Sequence, residues 1–253
     1  MARRLAFDGR SLEVWNVKAF QELYTALDAV RKVAVRQRPL GLVTGPAGSG
    51  KTFTANVYVA NAKADAVLVT TPPRDILTAR IMLESIAIAM GIEPQSYRLK
   101  SELYDAVLDA VQERNAFLII DEADRLRASN ADMLREIAEV TGKPLCYLGC
   151  PTVEAILARV PATHHRIGFR HSVLPVELDD LETALVNRAL DADGKRKLDR
   201  ETVSAIYDCT RGNLRHVESL VHLLRGAQRQ GAPVELTPTV VKQLNKRFLR
   251  QAA

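Results

Sequence analysis

The feature that most constrains this chain is the segment Gly45-Pro-Ala-Gly-Ser-Gly-Lys-Thr52, which matches the pattern G-x-x-x-x-G-K-[ST] throughout. The apolar run Leu40–Thr44 precedes it, and Phe53–Lys63 follows without Pro or Gly. The segment is therefore predicted to join a buried strand to a helix, which is the context that gives the pattern its meaning. Glycines in such a turn let backbone N–H groups surround a polyphosphate, and the helix start adds partial positive charge. We predict a nucleoside triphosphate site.

The whole segment is predicted to bind the nucleotide. Lys51 is expected to reach the β- and γ-phosphates, and the Thr52 hydroxyl is expected to ligate Mg²⁺. The predicted nucleotide ligands in this segment are Gly45, Pro46, Ala47, Gly48, Ser49, Gly50, Lys51 and Thr52.

A second apolar run, Phe117–Ile120, ends in the acids Asp121 and Glu122. Downstream of a complete phosphate loop, this pattern predicts that Asp121 holds the Mg²⁺ shell. Glu122 is predicted to polarise a water for attack on the γ-phosphate. The expected cofactors are therefore ATP and Mg²⁺.

The order of predicted elements favours an α/β fold with a parallel sheet sandwiched by helices. Beyond residue 177 only helices are predicted, with Asp179, Asp199, Asn213 and Thr237 at their starts. We predict three regions: an N-terminal arm (1–16), a P-loop ATPase core (17–177) and a small all-helical lid domain (178–253). The further predicted strands are Ala66–Thr70, Ala116–Ile120, Pro144–Leu148 and His171–Val176, and the helices between them are Asp75–Met90, Ser101–Arg114 and Asn130–Thr141.

Composition limits the class of protein. A net charge of +5 and a pI near 9.2, with cations concentrated at both ends of the chain, suit contacts to nucleic-acid phosphates. Aromatic residues make up only 5%, so we expect backbone contacts to a duplex and little stacking on single-stranded bases. Neither a secretory signal nor a membrane span is apparent, and three cysteines without C-x-x-C spacing argue against a disulfide framework. A cytoplasmic location is expected.

One motif points to a class that the rest of the chain excludes. Asp121-Glu-Ala-Asp124 spells the helicase DEAD box, and His165-Arg-Ile-Gly-Phe-Arg170 imitates the arginine motif of those enzymes. Such helicases carry the second motif on a second RecA-like domain. Too few residues separate Asp124 from Arg166 to hold a domain, so we reject this reading.

The chain instead resembles the AAA+ ATPases. Gly45–Thr52 is similar to their Walker A motif, Phe117–Glu122 to their Walker B motif, and Gly212-Asn-Leu-Arg215 to their sensor 2 motif. The resemblance implies that Arg215 contacts the γ-phosphate. It also implies that Arg166, or alternatively Arg170, is an arginine finger that acts on the nucleotide of a neighbouring subunit in a ring or helical oligomer.

One position departs from the pattern of that family. Sensor 1 is usually a polar Asn or Thr, whereas here Gly149 is followed by Cys150, whose thiol is a poor hydrogen-bond donor. Either Cys150 or Thr152 is expected to serve in this role. Weak positioning of water predicts slow hydrolysis, which suits a switch better than a motor.

The extra helix before the third strand resembles the insertion of the initiator clade. Together with Arg166–Arg170 and Gly212–Arg215, it makes the chain most similar to the DNA-transposition regulators of the MuB and TnsC group. That resemblance implies ATP-dependent assembly on double-stranded DNA, recruitment of a transposase, and DNA contacts by Arg74, Arg98 and Lys100. Two alternatives remain: a protein-directed switch such as a helicase loader or signalling ATPase, and a nucleotide-dependent scaffold that does not hydrolyse ATP.

Overall fold

A computed structural model describes residues 18–33, 39–61, 65–187, 199–229 and 237–251. The chain divides into two compact units. Among the described residues, the sheet unit comprises those within Leu23–Pro46 and Lys51–Val173, and the helical unit comprises residues 18–22, Ala47–Gly50 and those from Leu174 onward. The predicted arm, residues 1–16, lies outside the described residues, and the predicted domain boundaries stay predictions.

The sheet unit is built on five parallel strands in the order β2-β3-β4-β1-β5. Four of them follow the predicted apolar runs closely, because a strand that is buried on both faces reads as a continuous hydrophobic segment. The predicted parallel α/β sheet is confirmed. The strands are β1 Leu40–Thr44, β2 Ala66–Thr70, β3 Phe117–Asp121, β4 Leu145–Gly149 and β5 Ile167–Ser172.

Helices cover both faces of this sheet. On one face the sheet packs against α3, α4, α5 and α6, and on the other it packs against α1 and α2. The predicted layer of helices on each side is therefore confirmed. The helices of this part of the chain are α1 Lys18–Val33, α2 Lys51–Asn61, α3 Ala79–Ala89, α4 Lys100–Glu113, α5 Ala128–Thr141, α6 Thr152–Leu157 and α7 Pro161–His165.

Two predicted elements in the sheet unit are wrong in position. The last strand is not His171–Val176 but Ile167–Ser172, an edge strand that alternates inward and outward residues and therefore has no dense apolar run. The helix predicted from Asp75 begins only at Ala79. Thr78 caps it by accepting a hydrogen bond from the Ile81 N–H at 3.2 Å, because a Thr hydroxyl satisfies one of the N–H groups that a helix start leaves unpaired.

The helical unit contains four helices in its described part. In this unit α9 packs against α8, α10 and α11. The predicted caps Asp199, Asn213 and Thr237 each accept a hydrogen bond from a backbone N–H of the following helix. The start predicted at Asp179, as a capping box with Glu182, is wrong, because α8 begins at Leu178 and Asp179 lies inside its first turn. The helices are α8 Leu178–Asn187, α9 Arg200–Thr210, α10 Leu214–Arg229 and α11 Pro238–Gln251.

No helix in the described ranges is long and apolar enough to cross a membrane. Cys146, Cys150 and Cys209 are free thiols. Burial raises the pKa of the Cys146 thiol, so this residue stays protonated and packs as a small apolar side chain.

A close approach between α1 and β1 fixes how this helix lies on the sheet. Gly41 in β1 has no side chain, and a Cβ atom there would lie 2.4 Å from Cγ2 of Val30. Val30 is buried at 2% exposure, so the isopropyl group occupies the space that the glycine leaves open. The strand that leads into the phosphate loop is thereby packed directly under α1.

We expect Gly41→Ala to lower the free energy of unfolding by about 1–3 kcal/mol, because the added methyl group overpacks this contact. Val30→Ala alone leaves a cavity and also destabilises the protein. In the double variant the new methyl group occupies part of that space, so the total loss is smaller than the sum of the single losses. Urea unfolding of the four proteins measures this coupling, and additive losses would contradict the contact.

Candidate nucleotide-binding site

The lysine of the phosphate loop is buried beside the start of the loop. Lys51 is 8% exposed, and its Nζ donates hydrogen bonds to the carbonyl oxygens of Gly45 and Pro46, each at 2.8 Å. The Gly45 N–H in turn donates to the Gly149 carbonyl at the end of β4, at 3.1 Å. The ammonium group is thus held within the loop by neutral acceptors, which a phosphate oxygen can replace as a stronger partner.

The tip of the loop, Ala47–Gly50, belongs to the helical unit. Within that unit the Asn213 Nδ2 donates to the Ala47 carbonyl at 3.1 Å, and the Leu214 N–H donates to the Gly48 carbonyl at 2.9 Å. Gly48 has φ +79°, and a Cβ there would lie 2.0 Å from the Asn213 Oδ1. Only glycine fits at this position, because it tolerates the left-handed backbone and leaves room for the amide.

The amide of Asn213 has a second task at the start of α10. Its Oδ1 accepts from the backbone N–H groups of Arg215 at 3.1 Å and His216 at 3.3 Å, which is the geometry of an N-cap. One side chain therefore caps the helix with its acceptor and holds the glycine turn with its donor. The segment that resembles sensor 2 is bonded to the loop tip through Asn213 and Leu214.

Arg215 itself lies in the first turn of α10 with an exposed side chain. Within the described part of the chain, no ion pair engages its guanidinium. Its predicted role as a γ-phosphate contact stays a prediction.

The end of β3 presents one buried carboxylate. Asp121 is 2% exposed, and its Oδ1 accepts from the Glu122 N–H at 2.9 Å. Its Oδ2 is buried and has no hydrogen-bond partner among the described residues. A buried carboxylate oxygen without a partner is costly unless a cation or a donor satisfies it. A carboxylate oxygen of this kind suits a hard divalent cation such as Mg²⁺.

Glu122, the predicted base, is engaged by a cation of the same chain. Its backbone is left-handed, with φ 52° and ψ 38°. The guanidinium of Arg125 forms a close ion pair with its carboxylate, although without the directional geometry of a hydrogen bond. Arg125 also donates to the Thr71 carbonyl at 3.2 Å. In this arrangement the carboxylate is held by Arg125, and activating a water requires that the pair opens.

The segment after β4 is organised by an acid rather than by the cysteine side chain. Asp124 Oδ1 accepts from the Cys150 N–H at 3.0 Å, and a Cβ at Gly149 would lie 2.7 Å from the same oxygen. Thr152 is exposed as the first residue of α6. The structure does not single out either of the predicted sensor 1 residues, and that prediction is untested.

The two finger candidates lie on either side of the start of β5. Arg166 follows α7, is 53% exposed at its side chain, and donates from Nε to Glu139 Oε1 at 2.6 Å. Arg170 lies within β5 and is 40% exposed, and its two Nη groups contact Glu154 and His164 at 3.3 and 3.0 Å. Both arginines are accessible, and their partners differ.

The predicted DNA contacts lie in two loops of the sheet unit. Arg74 is exposed in the turn after β2, and its carbonyl accepts from Arg127 at 3.0 Å. Arg98 and Lys100 are exposed at the loop that enters α4. Arg80 fixes the backbone of this loop by donating to the carbonyls of Tyr97 and Arg98 at 2.8 and 3.0 Å.

Sequence reasoning missed the residues that anchor the loops and side chains of the candidate site. Arg80, Arg125 and Arg127 each bind a backbone carbonyl that lies far away in the sequence, and no motif marks them. Glu139 was also missed. It lies on α5 next to Val140, and nothing in the local sequence shows that it meets Arg166. The one signal in the sequence for a charged partner on α5 was that this helix is rich in charged residues.

We expect Asn213→Ala to destabilise the helical unit by about 1 kcal/mol, because the cap of α10 is lost. Asn213→Asp keeps the capping oxygen but cannot donate to Ala47, so it should retain most of the stability. Thermal unfolding compares the two variants with the parent. Equal losses for Ala and Asp would show that the cap is not the stabilising contact.

Comparison with known proteins agrees with this architecture. Residues 34–157 match the family model of an AAA domain. A "Potential ATP-binding protein" of Staphylococcus aureus is 25% identical over 243 residues, which cover 83% of this chain and 85% of that protein.

Solved structures with a similar fold include three archaeal proteins. The ORC2 protein of Aeropyrum pernix, in ADPNP–ADP complexes, gives a TM-score of 0.64 at 16% identity over 87% of this chain. CDC6P from Pyrobaculum aerophilum gives 0.66 at 20% identity over 85%, and the ORC1 protein of A. pernix in complex with DNA gives 0.66 at 18% over 95%.

This chain spans 66%, 63% and 65% of the length of those three structures. At such identities the likeness concerns the fold alone, a parallel sheet between layers of helices.

Proposed function

We propose that this protein is an ATP-dependent AAA+ ATPase that assembles on double-stranded DNA. The observation that carries the proposal is the buried Asp121, whose Oδ2 has no partner among the described residues, at the end of the strand next to β4. The loop residue Gly45 is bonded to the end of that same β4. A carboxylate in this position is suited to the cation that accompanies a triphosphate.

Each residue has a defined task in the proposed reaction. The loop Gly45–Thr52 binds the phosphates, and Lys51 exchanges its carbonyl partners for phosphate oxygens. Glu122, once released from Arg125, accepts a proton from the attacking water. The water oxygen bonds to the γ-phosphorus while the bond to the bridging oxygen breaks, which yields ADP and phosphate.

Thr52 and Asp121 would hold Mg²⁺, which neutralises charge on the β- and γ-phosphates when it is bound. Arg215 contacts the γ-phosphate in this proposal. The "Potential ATP-binding protein" of S. aureus supports ATP as the nucleotide.

Double-stranded DNA is the proposed ligand of the exposed cations Arg74, Arg98 and Lys100. Their loops are anchored by Arg127 and Arg80, so the charges are displayed on backbones with fixed positions. The structure of the ORC1 protein in complex with DNA supports this choice. Since the contacts are to phosphates, we expect little sequence preference.

A homo-oligomer, either a ring or a helical filament, is proposed because a finger such as Arg166 acts on the nucleotide of the next subunit. Recruitment of a transposase to the DNA is proposed from the motif resemblance to the MuB and TnsC group. The proposed location of the protein is the cytoplasm. In this proposal the ATP-bound oligomer assembles on the DNA target, and ATP hydrolysis ends that assembly.

The second candidate function is a protein-directed switch that does not bind DNA directly. The pair between Glu122 and Arg125 favours a switch, because the base is held until another event releases it. A steep decrease of binding with rising salt would favour DNA over a protein ligand, since phosphate contacts release counterions.

Lys51→Ala should abolish ATP binding, because the loop loses its only ammonium group. Glu122→Gln should retain ATP binding and lower turnover by about 10²–10⁴-fold, because the amide cannot take the proton. A fluorescent ATP analogue measures binding, and phosphate release with and without duplex DNA measures turnover. Unchanged turnover in Glu122→Gln would favour the scaffold that does not hydrolyse ATP.

The double variant Arg98→Ala/Lys100→Ala should bind duplex DNA more weakly. If both side chains contact phosphates, the slope of log K against log[salt] falls by about 2 in magnitude. The control is Arg114→Ala, an exposed cation just beyond the opposite end of α4. If the loss of binding per removed charge is the same in the control and the double variant, the effect is one of net charge alone, and no binding by the parent at low salt would exclude the DNA ligand.

A further inference from the structure

The backbone of Arg166 is fixed on both sides. Its N–H donates to the Thr163 carbonyl at 3.1 Å, which ends α7. The next residue, Ile167, begins β5 and pairs with Leu40 of the central strand β1. The Cα of Arg166 is therefore set by the sheet, whereas its long side chain has several rotatable bonds and needs a partner to settle in one conformation.

Glu139 supplies that partner. Its Oε1 accepts from the Arg166 Nε at 2.6 Å, and its Oε2 forms a close ion pair with Arg135 one turn earlier on α5. Arg135 is only 15% exposed and is also bound to Asp132 at 2.8 Å, so it is a well-anchored cation. Burial acts to lower the pKa of Arg135, but its hydrogen bond to Asp132 and the charges of the neighbouring carboxylates outweigh this effect, and the net pKa is raised. Arg135 therefore holds one oxygen of the Glu139 carboxylate, and the other oxygen holds the Nε of Arg166.

Glu139 contacts the Nε edge of the Arg166 guanidinium, and this decides which N–H groups remain for a further ligand. A guanidinium carries one N–H on Nε and four on the two Nη atoms. Glu139 takes only Nε, and the Nη groups of Arg166 have no hydrogen-bond partner among the described residues. The end of the side chain that binds a phosphate as a fork thus remains available.

Arg170 shows the opposite arrangement. Its Nη1 contacts Glu154 and its Nη2 contacts Nε2 of His164, so both Nη atoms of the fork already have a partner within the chain. To bind a phosphate, Arg170 would have to break these contacts. Of the two arginines, only Arg166 is held in a way that leaves its fork available.

We propose that Glu139 is a positioning residue that holds Arg166 by its Nε, so that Arg166 rather than Arg170 reaches the γ-phosphate of the neighbouring subunit. This inference rests on the proposed ATP-dependent assembly and deepens it. Because the carboxylate fixes the side chain before assembly, less rotamer entropy is lost when the fork meets the phosphate.

Glu139→Gln tests the proposal, because the amide keeps the shape but loses the charge that grips Nε. We expect turnover in the presence of ATP and duplex DNA to fall about 10–100-fold, as is typical when a catalytic group is misplaced. Arg166→Ala should cost about 10³-fold or more. Adding Glu139→Gln to Arg166→Ala should cost nothing further, because Glu139 acts only through that arginine.

Glu136→Gln is the matched control. Glu136 lies on the same helix and contacts Arg135 at 3.5 Å, but it does not touch Arg166. The control should turn over ATP within about twofold of the parent. Circular dichroism and thermal unfolding of both variants check that the fold is kept.

A mixing experiment separates a trans-acting role from a structural one. Glu139→Gln protomers keep an intact Glu122, and Glu122→Gln protomers keep an intact Glu139–Arg166 pair. Mixed oligomers should turn over faster than the sum of the two separate proteins, because one variant supplies the site and the other the finger. ATP-dependent assembly, followed by electron microscopy, provides a readout besides turnover, and Glu139→Gln should need more ATP to assemble.

The proposal is overturned if Glu139→Gln turns over and assembles like the parent. It is also overturned if its loss adds fully to that of Arg166→Ala, or if mixing gives no recovery. A different outcome excludes the intersubunit part of the proposed function. In that outcome Arg166→Ala and Arg170→Ala both behave like the parent, while Lys51→Ala and Glu122→Gln are inactive. In that case the ATP site stands, and the intersubunit finger does not exist.

Discussion

A parallel sheet that is buried on both faces leaves its polar side chains to collect at the ends of the strands, and the position of the phosphate loop follows from that constraint. The carboxyl ends of the strands open at the same edge. β3 ends there in Asp121, β1 leads there into Gly45, and β4 ends there in Gly149. The Gly45 N–H donates to the Gly149 carbonyl at this edge, and the Asp121 Oδ2 has no hydrogen-bond partner among the described residues.

Two arginines at opposite ends of the strands are paired with carboxylates of the same chain: Arg125 follows the carboxyl end of β3, and Arg166 precedes the amino end of β5. Arg125 holds Glu122, and Arg166 is held by Glu139. Exposed pairs of this kind typically contribute about 0–1 kcal/mol, so they fix a side chain without locking it. A triphosphate carries more charge than one carboxylate and can compete for the same cations. In the proposed function, a bound nucleotide or a neighbouring subunit would replace the carboxylate partners of these arginines.

Within the helical unit, the amide of Asn213 contacts the tip of the phosphate loop. Asn213 is able to cap α10 and to hold the turn at Ala47 because an amide carries both an acceptor and two donors, whereas a carboxylate or hydroxyl at this position would serve mainly the helix. The absence of a side chain at Gly48 is the other half of the contact. A motif read as a phosphate sensor is thus also part of the scaffold of the glycine turn.

The central strands and the loop Gly45–Thr52 were predictable because each is defined by its own local residues. Buried strands such as β3 read as unbroken apolar runs, and a glycine turn before a helix has its own pattern. The edge strand β5 was misplaced because its alternation hides among polar residues, and the start of α3 was missed because Thr78 caps it after an unpredicted turn.

The sequence by itself determined the phosphate loop, the paired acids Asp121 and Glu122, and the α/β class, because these depend on neighbours in the chain. Only the tertiary structure decided which cations meet which carboxylates. Arg125 with Glu122 and Arg166 with Glu139 are matched by the packing of α5, α7 and the turn after β3. Charged side chains carry no periodic signal of their partners, since an ion pair is defined by distance in space and any acid in the sequence is chemically equivalent to the next.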